Sequence, residues 1–221
     1  MLEPKDELRP IFNSYLNNEL PDNLDPTIEL FHPPCNEFDY CGGIPDPEDY
    51  INKQLDNLKY RQASYGFSSA LAMLNIYCPI SKKGVELIRD IAGGRQIVDP
   101  IAGRGFIAKG LRDLDCDVLA GDLHPDNAVT EVQCIDGQEL IKQADDNALL
   151  ILAWPPYMSN IDWKLAQSWG SRQILYIGDH GEATGSRKFA NHFDSDLLDS
   201  PDDIYSHINA HWYLGQMDIK K

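Results

Sequence analysis

The chain has 221 residues, 43% of them hydrophobic and 24% charged, with a net charge of −16 at neutral pH. That length accommodates one domain with an extension and a sizeable core, and no run of about eighteen apolar residues is present to span a bilayer. The acidity argues against a grip on duplex DNA, because proteins that hold a duplex present a basic face to its phosphates.

The charge is uneven. Residues 1–50 hold twelve acidic residues against Lys5 and Arg9, a local balance of −10, which leaves −6 for the rest of the chain. The later part therefore retains room for a local basic patch, although solubility alone accounts for the acidity. The opening MLEPKDELRP is charged and has no apolar stretch, so no secretory signal is predicted. The five cysteines, at positions 35, 41, 78, 116 and 134, form no C-x-x-C pair. Reduced thiols and a cytoplasmic location are the expectation.

The first predicted helix covers 5–20, where Leu8, Ile11, Phe12, Tyr15 and Leu16 recur at helical spacing. Residues 21–49 are crowded with Pro, Asp, Asn and Gly and read as irregular chain laid over something else. A helix is expected from Asp49 through INKQLDNLKYRQ, and another over 68–77. Residues 1–80 thus read as a helical, turn-rich extension expected to supply part of the substrate side or a lid, and 81–221 as an α/β domain.

The α/β texture opens with a helix, SKKGVELIRDIAGG, capped by Ser81 and ended by Gly93-Gly94. The strand QIVDPIA follows, then a glycine-containing turn and the helix FIAKGLRDL. Further strands are predicted at 118–123, 132–136, 148–154 and 173–179. Their unbroken apolar runs are those of parallel strands buried on both faces. A short helix is expected around 186–193, with two weaker strand candidates, IYSHI and WYLGQMDI, after it. The alternation predicts an open, doubly wound, mostly parallel sheet.

In such a sheet ligands bind beyond the carboxyl ends of the strands, and the notable residues fall there. After the first strand stands Asp99-Pro100-Ile101-Ala102-Gly103-Arg104-Gly105. Gly103 and Gly105 let the backbone turn tightly and come close to a ligand, while the next helix aims its first amides at it. Asp99 is placed to accept hydrogen bonds from an amine or its water shell. Asp122 ends the second strand 23 positions later, roughly where an acidic residue holds a ribose diol. Asp136 ends the third and suits an adenine amino group. Each of these could alone be an ordinary turn residue, but three such landmarks at three successive strand ends are much harder to dismiss. A dinucleotide site would use the same logic, which keeps NAD or NADP as the alternative cofactor. Its G-x-G-x-x-G fingerprint, however, meets Ala108 at the third position, and the Asp-Pro opening is foreign to it.

The fourth strand ends Trp154-Pro155-Pro156-Tyr157. Together, D-P-x-A-G-x-G after the first strand and x-P-P-Y after the fourth resemble the class I, Rossmann-like, S-adenosylmethionine-dependent methyltransferases. The likeness is strongest to the amino-methyltransferase branch, with its Asn/Asp/Ser-Pro-Pro-Tyr/Phe/Trp motif, and spans roughly 78–180. It implies a seven-stranded sheet and S-adenosylmethionine as cofactor. The turn of Gly103 to Gly105 would hold the methionine moiety with Asp99 near its ammonium, Asp122 would take the ribose and Asp136 the adenine, and Pro100, Ala102, Leu123 and Gly137 would belong to the same cofactor site. Tyr77-Cys78-Pro79 resembles a segment which that branch lays over the cofactor. The carbonyls of Pro155 and Pro156 would face the target amine, with Tyr157 packed on it. The implied reaction is methyl transfer to a nitrogen of a protein, small-molecule or RNA acceptor.

Trp154 departs from the motif: an indole only donates, so the usual side-chain acceptor for the amine is missing. Either Trp154 lines a pocket for a different acceptor, or a carboxylate comes from elsewhere, or the chain binds cofactor without catalysis. Asp179 and Glu182, after the fifth strand, are the substitutes the sequence offers, with His180 between them as a proton acceptor or a plain turn residue. His32, Cys35 and Cys41 lack a fourth ligand, so no metal is expected. The sequence leaves the acceptor and the oligomeric state open.

Overall fold

The computed structural model describes residues 9–24, 70–179, 183–202 and 210–218. The predicted helix at 49–62, the strand candidate IYSHI and nearly all of the turn-rich stretch lie outside these residues.

Seven strands form one sheet in the order β3-β2-β1-β4-β5-β7-β6. They are β1 (Ile97–Asp99), β2 (Val118–Asp122), β3 (Gln133–Cys134), β4 (Leu149–Ala153), β5 (Ile174–Gly178), β6 (Phe193–Leu198) and β7 (His211–Met217). The first five pair in parallel. Strand β7 is antiparallel to both neighbours, β5 and β6. The expected doubly wound, seven-stranded α/β sheet is what the chain forms.

Strand periodicity divides the core into two layers. Ile97, Leu149, Ile151, Leu175 and Ile177 face one side, and Val98, Leu150, Leu152, Ile174 and Tyr176 the other. On the first side pack α1 (Arg9–Leu16), α2 (Lys82–Ala92) and α3 (Phe106–Asp113), through Ile11 and Tyr15, Val85 and Ile88, and Phe106 and Leu111. On the second lie α4 (Gly137–Ile141), α5 (Ile161–Trp169) and α6 (Arg187–Ala190), through Leu140, Leu165 and Phe189. With both faces covered, the central strands have no polar side, which is why their sequences do not alternate.

The ends of α2 follow the sequence. Ser81 Oγ accepts the Gly84 amide, and Gly93, at φ 57°, closes the helix by donating to the Arg89 carbonyl. The described part of the N-terminal segment belongs to the same core. Tyr15 Oη donates to the Ile80 carbonyl at 2.8 Å and accepts the Ile80 amide at 2.9 Å. Leu20, Leu24, Leu71 and Ile76 are buried with it.

Some elements differ from expectation. The 68–77 segment is helical at 70–73 and then turns, with Asn75 at φ 56°. The helix expected near 186–193 ends at Ala190, and β6, Phe-Asp-Ser-Asp-Leu-Leu, takes over. Aspartates are poor strand formers, and this strand tolerates them because it is an edge pairing with β7 alone. The WYLGQMDI candidate is β7, inserted between β5 and β6.

Candidate functional site

The chain reverses its winding between β1 and β4, and there a cavity of about 720 Å³ opens beyond the strand ends. Its wall carries Asp99, Asp122 and Asp136 from the ends of β1, β2 and β3, together with Trp154 after β4. That is where the doubly wound topology places a ligand.

The turn after β1 is held from three directions. The Ala102 amide donates to the Gly121 carbonyl at 3.0 Å, and the Gly105 amide to the Ala102 carbonyl at 2.8 Å. The Gly103 amide donates to Asp122 Oδ2 at 2.8 Å. Both glycines have positive φ, 53° and 78°, but they are needed for different reasons. A Cβ on Gly103 would meet open space, so only its backbone conformation demands glycine. At Gly105 a Cβ would in addition stand 2.7 Å from Val132 Cγ2. Arg104, between them, turns outward to bond the Leu74 carbonyl, the Asn18 side chain and the Asn127 carbonyl. It ties the turn that follows α1 and the 70–75 turn to the glycine turn.

Asp99 is 1% exposed, and its Oδ1 has no hydrogen-bond partner among the described residues. Burial, reinforced by the Asp122 carboxylate, pushes its carboxyl up to about 7, against a hydrogen bond from the Ile101 amide. A buried carboxyl oxygen without a partner, on a residue of a cavity wall, suits a cation or a hydrogen-bond donor.

Asp122 uses both oxygens on the backbone, since Oδ1 accepts the His124 amide at 2.8 Å. Asp136 caps α4 by accepting the Gln138 amide. Between them Leu123, 55% exposed, lays an apolar surface on the wall. Pro100, Ala102, Gly103, Gly105 and Gly137 also line the cavity, as do Tyr77 and Cys78. The nine cofactor-side residues singled out in the sequence are thus brought together.

The acceptor side is not assembled as expected. Trp154 lines the cavity at φ 53°, an unusual conformation for a bulky residue, with its amide donated to Ile177 of β5. Pro155 is buried and off the wall, and its carbonyl accepts the Gly185 amide at 2.8 Å. Pro156 is on the wall, but its carbonyl takes the Ser159 amide. Tyr157 is 59% exposed and off the wall. Asp179 is also off the wall, and its carbonyl accepts from Thr184. Both Glu182 and His180 fall outside the described residues. The prolyl carbonyls, which the resemblance directs at a target amine, are engaged by backbone donors instead.

Ser159, Asn160 and Lys164 also line this side, and nothing in the sequence pattern singled them out. The loop that carries them is locked to the next one. Buried Asp162 accepts the Ser186 amide and hydroxyl at 2.6 and 2.9 Å, and the Met158 amide donates to Gly185. Burial raises the Asp162 carboxyl, with the Ser186 donors opposing it.

Among the described residues no cluster of His, Cys, Asp or Glu could hold a metal ion, and no helix is long and apolar enough to cross a membrane. His32, Cys35 and Cys41 lie outside them.

Neither a protein-family model nor a curated protein sequence matches this chain. Solved structures similar to it include a methyltransferase from Geobacter sulfurreducens, at 15% identity and a TM-score of 0.45, covering 80% of this chain and 100% of that one. Another is the 1,6-didemethyltoxoflavin-N1-methyltransferase of Burkholderia thailandensis, with bound 1,6-didemethyltoxoflavin and S-adenosylhomocysteine. There the identity is 12%, the TM-score 0.40, and the match covers 79% of this chain and 90% of that one.

Proposed function

We propose that this chain binds S-adenosylmethionine and transfers its methyl group to a nitrogen of an acceptor. The observation that carries the reading is Asp99, a buried carboxyl with an unpaired oxygen at the head of a glycine turn, in one cavity with Asp122 and Asp136. The cofactor's donor set suits these residues. Its ammonium matches Asp99, its ribose and adenine polar edges match Asp122 and Asp136, and Leu123 offers apolar surface to the ring. When bound, the cofactor supplies a sulfonium methyl, already a strong electrophile. The chain's own task is then to hold the acceptor in line and keep water out. The sheet also favours this reading over a nicotinamide oxidoreductase. The dinucleotide fold runs 3-2-1-4-5-6, whereas here an antiparallel β7 separates β5 from β6.

Isothermal titration with S-adenosylhomocysteine tests the proposal, NAD and NADP serving as competitors. Saturable binding of S-adenosylhomocysteine that Asp99→Asn weakens at least about tenfold supports it. Tighter binding of NAD or NADP overturns it.

A second reading has one observation in its favour. Trp154 replaces the usual acceptor side chain, and the Pro155 carbonyl is spent on Gly185, which suits a cofactor-binding module without transfer. Screening protein, RNA and small-molecule amines with labelled cofactor separates the two. Binding with no transfer to any acceptor supports the module.

A further inference from the structure

The acidic residues of the cavity wall, Asp99, Asp122, Asp126 and Asp136, all lie on its cofactor side, together with His124 and with Arg104, whose guanidinium is taken up by the Leu74 and Asn127 carbonyls and Asn18. On the acceptor side, from Ala153 to Lys164, the one ionisable residue of the wall is Lys164. Its ammonium makes no hydrogen bond or ion pair among the described residues.

Asn160 stands four residues before Lys164, and the two share one face at the start of α5. As the residue preceding a helix, Asn160 is of the type that normally caps it, yet its side chain makes no capping bond. The adjacent residues cap instead. Ser159 Oγ accepts the Ile161 amide at 3.1 Å, and Asp162 Oδ1 the Trp163 amide at 2.7 Å. Asn160 is therefore released from helix duty, and as a residue of the cavity wall it brings a side chain with an accepting carbonyl and a donating NH₂. Trp154 adds an aromatic surface to the same side.

From these three residues we infer that the acceptor is a small aromatic or heteroaromatic amine carrying a carboxylate or phosphate. Its ring packs on Trp154, its amine donates to Asn160 Oδ1 and its anionic group pairs with Lys164. Asn160 thus supplies the accepting oxygen that Trp154 removed. In the transfer the amine lone pair forms the new N–C bond while the C–S bond breaks toward sulfur. The thioether leaves as S-adenosylhomocysteine and the amine proton goes to water. The inference rests on the methyltransferase reading and narrows its acceptor.

The test measures binding, with the full chain saturated by S-adenosylhomocysteine and two matched pairs of probes: aniline against 4-aminobenzoate, and adenosine against adenosine monophosphate. In each pair that binds, the anionic member is expected to bind about tenfold tighter, the range of one charge-assisted hydrogen bond. Lys164→Gln should bring the members of a pair within about twofold of each other. Asn160→Ala should weaken both members alike, without touching S-adenosylhomocysteine. Equal or tighter binding of the neutral members overturns the inference, as does a charge preference that survives Lys164→Gln. Failure of all four probes while S-adenosylhomocysteine binds overturns it too. Failure of S-adenosylhomocysteine itself instead overturns the methyltransferase reading.

Discussion

Asp122 governs Asp99 without touching it. Its Oδ2 accepts the Gly103 amide at 2.8 Å and so fixes the turn beyond Asp99, while its charge adds to the burial that holds the Asp99 carboxyl near 7. One carboxylate shapes the cavity and the other waits in it. The free protein bears the cost of a buried acid with one oxygen unpaired, and a cationic ligand would relieve it.

Asp99→Asn should therefore stabilise the free protein and damage binding. For an acid whose folded pKa is raised, the native state binds the extra proton, so stability is fully present below about pH 4 and is lost as pH rises through about 7. The amide does not ionise. The stability gain of the variant over the wild type should grow from pH 5 to pH 8, toward a ceiling of about 4 kcal/mol. Urea denaturation at both pH values checks this, and a gain that is equal at both or larger at pH 5 contradicts it.

The same carboxyl sets a pH dependence of binding. An ammonium beside Asp99 favours its ionised form, so S-adenosylhomocysteine should bind more weakly as pH falls below about 7, with protons released on binding. Calorimetry at pH 6 in two buffers of different ionisation enthalpy reports those protons. Asp99→Asn should bind with no comparable release.

At Gly105, alanine must adopt φ 78° and place its Cβ 2.7 Å from Val132 Cγ2. Crowding and left-handed strain together should cost about 2–3 kcal/mol. At Gly103 alanine meets only the strain, about 1 kcal/mol. Thermal denaturation of the pair should rank Gly105→Ala below Gly103→Ala, and the reverse order would contradict the account of the turn.

What the sequence made legible follows one physical divide. The sheet and the cofactor side are local: apolar runs, a capped helix and the residues at strand ends can be read from consecutive positions. The acceptor side is made by contacts between distant loops. That Pro155 gives its carbonyl to Gly185 depends on how 154–160 docks against 183–186, and no motif contains that. Asn160 was invisible because a helix-initiating Asn normally spends its side chain on the helix, and only the bonds of Ser159 and Asp162 show that it does not. Strand β6 was missed because its aspartates read as loop, although an edge position admits them.

The N-terminal segment offers the remaining test, because Tyr15 is a buried fastening between it and the chain that leads into α2. Tyr15 is fully buried, and its hydroxyl satisfies both the carbonyl and the amide of Ile80. Its ring meets Phe106, the first residue of α3, edge-on at 5.2 Å between centroids. Tyr15→Phe keeps the ring contact but strands two buried backbone groups, each costing about 1–3 kcal/mol when left without a partner. Water could recover part of that only if the site opened. The expected loss is about 2–4 kcal/mol in urea denaturation. Because Ile80 leads into the wall residues Tyr77 and Cys78 on one side and Ser81 on the other, binding of S-adenosylhomocysteine should weaken along with it. A variant as stable as the wild type would mean that the segment is held by its other bonds, Arg104 to Asn18, the Lys82 amide to Pro21 and the Leu24 amide to Asp202, and not by the Tyr15 hydroxyl.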